Sequence, residues 1–577
     1  MPDDTALLLE RHFDLAFAAP DGVQKLRELI LTLAMQGKLV SQDPDDQPAS
    51  ELLKAIETEK QRLVKEKRIG KPYQLREINT EELPYELPKG WEWVILDRLV
   101  SKIGSGSTPR GGKDAYVIEG IPFLRSQNIW NNGLRADDVA FISEETHKKM
   151  AATTVMPMDL LLNITGASIG RCALVPDDFG EANVSQHVTI IRCINPEIRR
   201  FIHYLLLSPY GQSLIWTRQV GMSREGLSKK VLEQFQIPLP PLAEQHRIVA
   251  KIDRLMARCD ELEKLRAERD QKRITIHTAV INRLLTAKES DDFSTAWRFI
   301  TQHFGELYSV RENVAELRKA ILQLAVMGKL VPQDPTDEPA SELLRAIELE
   351  KQRLVKEGKM KEPQPLPKLK VEEIPYQAPK GWIWVRFEDI VQINSGVTKG
   401  RKLNGKEIVT LPYLRVANVQ RGYLDLEVIK EIEIAKDEIQ RFELKERDLL
   451  ITEGGDWDKV GRTAIWKAEI SPCIHQNHVF RARCWLVKQN EQWLEKYLNS
   501  SVAKAYFANA SKQTTNLASI NKTQLRGCPI LLPPLAEQHR IVTKIDRLMA
   551  LCDHLDQQID AAISKQTTLL NAVIAQV

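Results

Sequence analysis

The chain has 577 residues, 43% hydrophobic and 28% charged, with a formal net charge of +3. This balance excludes a disordered chain, and no apolar run reaches the roughly 18–20 residues of a membrane-spanning helix. Near neutrality at this size means that a nucleic-acid partner must be held by local basic patches, and a prior of about 100–200 residues per domain implies roughly three to five compact units.

The N-terminus, MPDDTALLLERHF, lacks the basic-then-apolar order of a secretory signal, so the expected location is the cytoplasm. Next comes an arm. From Leu26 the chain reads LRELILTLAMQGKLVSQDPDDQPASELLKAIETEKQRLVKE, in which residues 50–66 have a Ser–Glu start and one apolar face. A helix is expected there. After PKGWEW at Pro88, short apolar runs such as DLLLNIT and HVTIIRC lie between Gly, Pro, Asn and Ser clusters, followed by the helical run RRFIHYLLLSPYGQSLIWTRQ. Short strands bounded by turn residues and followed by helices indicate a mixed α/β or α+β globe.

From Pro240 the chain reads PPLAEQHRIVAKIDRLMARCDEL, with Ile248, Ile252, Leu255, Cys259 and Leu262 at alternating steps of four and three. That spacing is a coiled-coil seam. A helix from about Leu242 to Leu285 would be roughly 65 Å long, and the arm helix is its natural packing partner.

The whole plan then repeats. LRKAILQLAVMGKLVPQDPTDEPASELLRAIELEKQRLVKE starts at Leu317, PKGWIW at Pro379, and DLLITEG and HVFRARC fall in a second globe. PPLAEQHRIVTKIDRLMALCDHL follows from Pro533, with its seam at Ile541, Ile545, Leu548, Cys552, Leu555 and Ile559. Six segments are therefore expected: a helical arm at 1–88, a globe at 89–239, a central coiled-coil helix at 240–290, a second arm at 291–379, a second globe at 380–532 and a C-terminal coiled-coil helix at 533–577. Such an internal repeat sets the architecture as two tandem, pseudo-symmetric halves.

Catalytic signatures are not evident. The chain has no phosphate-loop Gly-x-x-x-x-Gly-Lys-Ser/Thr, no Asn/Asp-Pro-Pro-Tyr/Phe tetrapeptide, no Gly-x-Ser-x-Gly elbow and no His-Glu-x-x-His helix. IGSGSTPRGG, from Ile103, reads as a surface loop. Cys172, Cys193, Cys259, Cys473, Cys484, Cys528 and Cys552 include no C-x-x-C pair and are expected as reduced thiols. Cys473, His475, His478 and Cys484 match no common zinc spacing, and no metal site is expected. His246 and His539, in AEQHRI, are read as helix-packing or partner-contact residues. No catalytic residue is assigned.

IPLPPLAEQHRIVAKID, GKLVPQDPTDEPASELL, LPKGWEWV and IPFLRSQNI, doubled in order, resemble the specificity (S) subunit of Type I restriction–modification systems over essentially the whole chain. The resemblance implies two target-recognition domains, each reading half of a bipartite, asymmetric DNA site, separated by an antiparallel pair of coiled-coil helices that fixes the unread gap. It also implies a non-catalytic chain. Two modification (methyltransferase) subunits would use S-adenosylmethionine to methylate adenine, and two restriction subunits would bring ATP- and Mg-dependent translocation and cleavage. The rival reading is a coiled-coil scaffold with two protein-binding heads; a further one is a self-contained nuclease or methyltransferase.

Base reading needs paired donors and acceptors, and phosphate contact needs accessible positive charge. In the first globe the candidates are Ser105, Ser107, Thr108, Arg110, Lys113, Arg125, Asn128, Asn163, Thr165, Gln186, Ser223 and Arg224. In the second they are Ser395, Thr398, Lys399, Arg401, Arg415, Asn418, Gln476, Asn477, Thr515 and Asn516, with Glu453 and Asp456 making one loop acidic. NITGASIGR has become TEGGDWDKVGR there, so the two globes are expected to read different sequences.

Overall fold

The computed structural model describes residues 17–70, 78, 83–217, 226–287, 290–360, 362, 364, 366–403, 405–455, 457–513 and 518–575. The backbone forms two compact units, residues 1–268 with 562–577, and residues 269–561. Each has the same internal plan.

In the first unit, strand Glu92–Ile95 pairs antiparallel with strand Gln236–Leu239, which brings the two ends of the globe together. Pro240 and Pro241 follow at once. Neither has an N–H to continue a ladder, while proline fits the opening of a helix, so the strand stops and the helix Leu242–Thr286 begins. Gln245 secures this corner by donating its side-chain amide to the Pro240 carbonyl at 2.8 Å.

Inside the globe, a four-stranded antiparallel sheet has the order Cys172–Leu174, Leu160–Asn163, Val188–Cys193, Val100–Ser105. A five-stranded mixed sheet packs beside it, in the order Tyr116–Val117, Ala140–Ile142, Ile121–Leu124, Ala182–Val184, Thr154–Val155. The continuous apolar run LLLN follows from this layering. Leu160 and Leu162 face a core shared with Phe201, Ile202 and Leu205 of the helix Arg199–Leu207, whereas Leu161 faces a second core with Ala173, Val184 and Ile190. Side chains alternate along a strand, so one buried on both faces must be apolar at nearly every position.

The second unit repeats the scheme. Ile383–Arg386 pairs with Pro529–Leu532 before the helix Leu535–Ala575 starts. The four-stranded sheet runs Val391–Ser395, Val479–Cys484, Leu449–Thr452, Thr463–Ile465. Leu449 and Ile451 face the helical side, and Leu450 faces the core of Ala464, Trp466 and Val479. A buried bidentate ion pair fastens each central strand: Arg192 donates to both Asp159 oxygens at 2.7 Å, and Arg483 to both Asp448 oxygens at 2.6 Å.

The helix read over residues 50–66 runs Ala49–Lys65; its Ala49 and Ile56 share a core with Ile248 and Ile252 of the long helix, and its Lys60 reaches the Asp97 carboxylate at the base of the globe at 3.1 Å. The long helix is also ion-paired to Gly22–Met35, whose Arg27 donates to Asp260 at 2.6 Å and to Glu263 at 2.8 Å. In the second unit Arg318, on the helix Arg311–Val326, takes the same part toward Asp553 and Asp556. The seam is shorter than its spacing suggests. Ile248, Ile252 and Cys259 are buried, while Leu262 is 39% exposed.

The first unit holds residues 242–268 of one long helix and the last turns of the other; the second unit holds the complementary parts. In the second unit, Ile281 and Leu284 of the first long helix share a core with Ile541, Ile545 and Cys552 of the other. All seven cysteines are unpaired. Among the described residues no helix is long and apolar enough to cross a membrane.

Candidate nucleic-acid interface

The repeated sequence blocks build one joint twice. The buried Trp91 donates its indole N–H to Glu244 at 2.9 Å, and Trp382 does the same to Glu537 at 2.8 Å. Burial raises both carboxyl pKa values above their ordinary range. Arg247 forms two hydrogen bonds to Asp46, and Arg540 two to Asp337. PKGW, LAEQHR and the Gln-Asp-Pro segment of the arm are therefore shared because each supplies one wall of the same corner. They are spent on the scaffold.

At the far end of each four-stranded sheet, the loops gather into a rim. In the first globe, the turn after Ser105 closes onto the strand end at 184: Gly106 N–H donates to the Val188 carbonyl at 2.9 Å and Ser107 N–H to the Val184 carbonyl at 3.2 Å. Only glycine fits at 106, because a Cβ there would lie 1.9 Å from the Val184 oxygen. Ser105 reaches Thr189 at 3.0 Å, and Thr165 reaches His187 at 2.6 Å. Ser105, Ser107, Thr108, Arg110, Gln186 and His187 are exposed, and Thr165 is half-buried. The sheet thus brings candidates from three separate sequence stretches to one edge.

The second rim has the same backbone and different chemistry. A Cβ at Gly396 would lie 2.0 Å from the His475 oxygen. Ser395, Thr398 and Lys399 are exposed, with Gln476 and Asn477 half-buried on the facing turn. The histidine at the matched place of the two rims, His187 and His478, meets the Thr165 hydroxyl in the first globe and the Glu453 carboxylate, at 2.5 Å, in the second. Sequence reasoning weighed His478 only as a metal candidate and did not choose His187 or His478 for the rim; their sign was a histidine directly after Gln186 in one turn and after Asn477 in the other.

Several candidates are placed elsewhere. Asn128 is fully buried, accepting from Arg125 N–H at 3.0 Å and donating to the Arg135 and Asp137 carbonyls at 3.2 Å. Asn418 repeats this with Arg415, Asp425 and Val428. Asn163 is fully buried and donates to the Ser126 carbonyl and the Ser168 hydroxyl. These three asparagines shape the loops and have no surface to offer a base. Arg125 is half-buried and reaches Asp138, and Arg415 donates to the Val428 carbonyl. Arg401 has a bidentate pair with Glu438, at 3.0 and 2.9 Å, so its charge is answered within the globe. Lys113 lies in a short helical turn, residues 112–115. Ser223, Arg224, Asp456, Thr515 and Asn516 lie outside the described residues.

Cys473, His475, His478 and Cys484 do not converge. His475 is buried and donates from Nδ1 to the Val479 carbonyl at 2.7 Å, whereas His478 faces Glu453. Among the described residues no group of three or more His, Cys, Asp or Glu side chains is placed to hold a metal ion.

Comparison with known proteins agrees with this doubled plan. The family model of the Type I restriction modification DNA specificity domain matches residues 88–269 and again residues 379–565. The Type I restriction enzyme EcoAI specificity subunit of Escherichia coli is 33% identical, covering 96% of this chain and 93% of its own. The EcoEI specificity subunit of the same organism is 31% identical with the same coverages. Among solved structures, the HsdS subunit from Thermoanaerobacter tengcongensis is 19% identical, with a TM-score of 0.43 over 86% of this chain and 99% of that one. With two copies of the matched domain in tandem on one repeated scaffold, the chain belongs to the Type I restriction–modification specificity-subunit family.

Proposed function

We propose that this chain is the DNA-reading subunit of a Type I restriction–modification complex, in which each globe recognises one half of a bipartite, asymmetric site and the long helices fix the gap. One observation carries this reading: the joint residues are the same in both halves, while in the rims they hold the matched histidines, His187 and His478, face a hydroxyl in one half and a carboxylate in the other. A scaffold for two identical partners has no use for that divergence. Ser105, Ser107, Thr108, Arg110, Lys113, Thr165 and Gln186 serve the first half-site, and Ser395, Thr398, Lys399, Gln476 and Asn477 the second. The segments carrying Ser223, Arg224, Thr515 and Asn516 belong to the same proposal by sequence position.

Bonds and charges at the rims suit groove and phosphate contacts. Chemistry is assigned to partners: two methyltransferase subunits using S-adenosylmethionine on adenine, and two restriction subunits using ATP and Mg, all in the cytoplasm. Selection from a randomised duplex pool with the assembled complex tests the reading. It should enrich two short blocks at a constant separation, and the isolated chain should transfer no methyl group from S-adenosylmethionine. Enrichment of nothing, or methyl transfer by the chain alone, contradicts it.

A further inference from the structure

Trp130, Arg135 and Arg171 of the first globe, chosen by no sequence motif, form a doubly charged stack. The Arg135 guanidinium carbon lies 3.5 Å from the Trp130 ring centre, and that of Arg171 lies 3.9 Å from it. Two planar guanidiniums this near one ring centre cannot share a face, so the indole is held between them. Trp130 also donates its N–H to the Gln127 carbonyl at 2.8 Å, which fixes the ring. Arg135 is exposed and Arg171 half-buried. Among the described residues, no ion pair joins either arginine to a carboxylate.

The second globe supplies the control within the same molecule. Gln420 takes the place of Trp130, donating to the Ala417 carbonyl as Trp130 does to that of Gln127. Asp425 takes the place of Arg135: its carbonyl accepts from Asn418 as that of Arg135 accepts from Asn128. Arg462 takes the place of Arg171, each directly preceding an outer strand of the four-stranded sheet. Yet Arg462 bonds Asp458 at 2.7 Å and Gln420 at 2.6 Å, and Asp458 also meets Lys504 at 3.2 Å. Where an arginine at this place serves the fold, the fold gives it a carboxylate. In the first globe two like charges are stacked together and left for an anion.

We infer that Arg135 and Arg171, oriented by Trp130, are a backbone-phosphate clamp of the first head, with no equivalent in the second. This rests on the DNA-reading function proposed above. Arg171 begins at the same sheet end as the 105–108 and 185–187 turns, so the clamp borders the rim. The indole occupies the guanidinium faces and leaves their N–H edges for phosphate oxygens, while stacking reduces the side-chain freedom that binding must remove.

The test measures the affinity of the assembled complex for its selected duplex between 50 and 200 mM salt, for the native chain, Arg135→Gln and Arg135→Lys. Each phosphate contact contributes about 0.9 to the slope of log affinity against log salt on B-form DNA. Arg135→Gln should flatten the slope by about 0.9 and weaken binding to every duplex alike, and Arg135→Lys should restore the slope. An unchanged slope in Arg135→Gln overturns the clamp. So does a changed base preference in the first block, which would make Arg135 a base reader, or equal damage from both variants, which would make the stack structural. If the native complex selects no bipartite duplex, the parent reading fails; if it selects one and only the slope prediction fails, the clamp alone is wrong.

Discussion

His475 shows how a single residue separates the two heads. It occupies the register place of Val184, since Leu414 faces His475 across a parallel pair as Leu124 faces Val184. Its Nδ1–H is used by the Val479 carbonyl, and its Nε2 is buried without a partner. Charging the ring would add a second buried donor with no acceptor, and burial pushes its pKa down to about 4 from the ordinary 6.5. The sign follows from proton uptake: the unfolded chain protonates this histidine below about pH 6.5, while the folded chain resists until about pH 4. The contribution of His475 is thus complete above pH 6.5 and is lost on acidification, by about 2 kcal/mol at pH 5. Urea unfolding of the full chain at pH 7 and pH 5 should show His475→Val losing about 2 kcal/mol less than the native chain in the transition of the second unit. Equal losses would contradict the assignment. Nothing in the sequence marked this burial, because HQNH in the second half stands where the first half has VSQH, and only the strand register shows that the first of the two histidines takes the place of a buried valine.

At the scale of elements, the turns holding each rim depend on close backbone approach. Gly106 sits where any side chain would collide with the Val184 carbonyl. Gly106→Ala should therefore displace the 105–108 turn, remove the first block from the selected duplexes and leave the second block intact; loss of both blocks would mean that this turn serves the scaffold. The repeat, the helix at residues 49–65 and the long helices were legible because periodicity and duplication are properties of a contiguous run. The rim was legible in part. Ser105, Ser107, Thr165 and Gln186 do lie on it, but Asn128, Asn163 and Asn418, chosen for the same side-chain chemistry, are buried turn-makers. An asparagine that caps a loop and one that reads adenine look alike in sequence, since the difference is only which way the side chain turns. The Trp130 stack was not legible at all, because Arg171 comes to Trp130 from a different sheet and only the fold brings them together. The Gly22–Met35 helix was also missed as an ion-paired neighbour of the long helix, for the complementarity of Arg27 with Asp260 and Glu263 spans the whole first globe.

At the scale of the whole molecule, duplication explains why some residues are fixed and others free to differ. Trp91 with Glu244, and Trp382 with Glu537, must each close the same corner on the same kind of helix. The rims share no such joint, and their side chains differ. If the helices set the separation of the heads, removing seven residues from each takes away roughly 10 Å of helix, equivalent to about three base pairs. Sequencing the duplexes selected by the native complex and by this shortened one, side by side, tests that claim most directly. The account predicts the same two blocks, brought closer by about three base pairs. Blocks of altered sequence, or an unchanged gap, would contradict it.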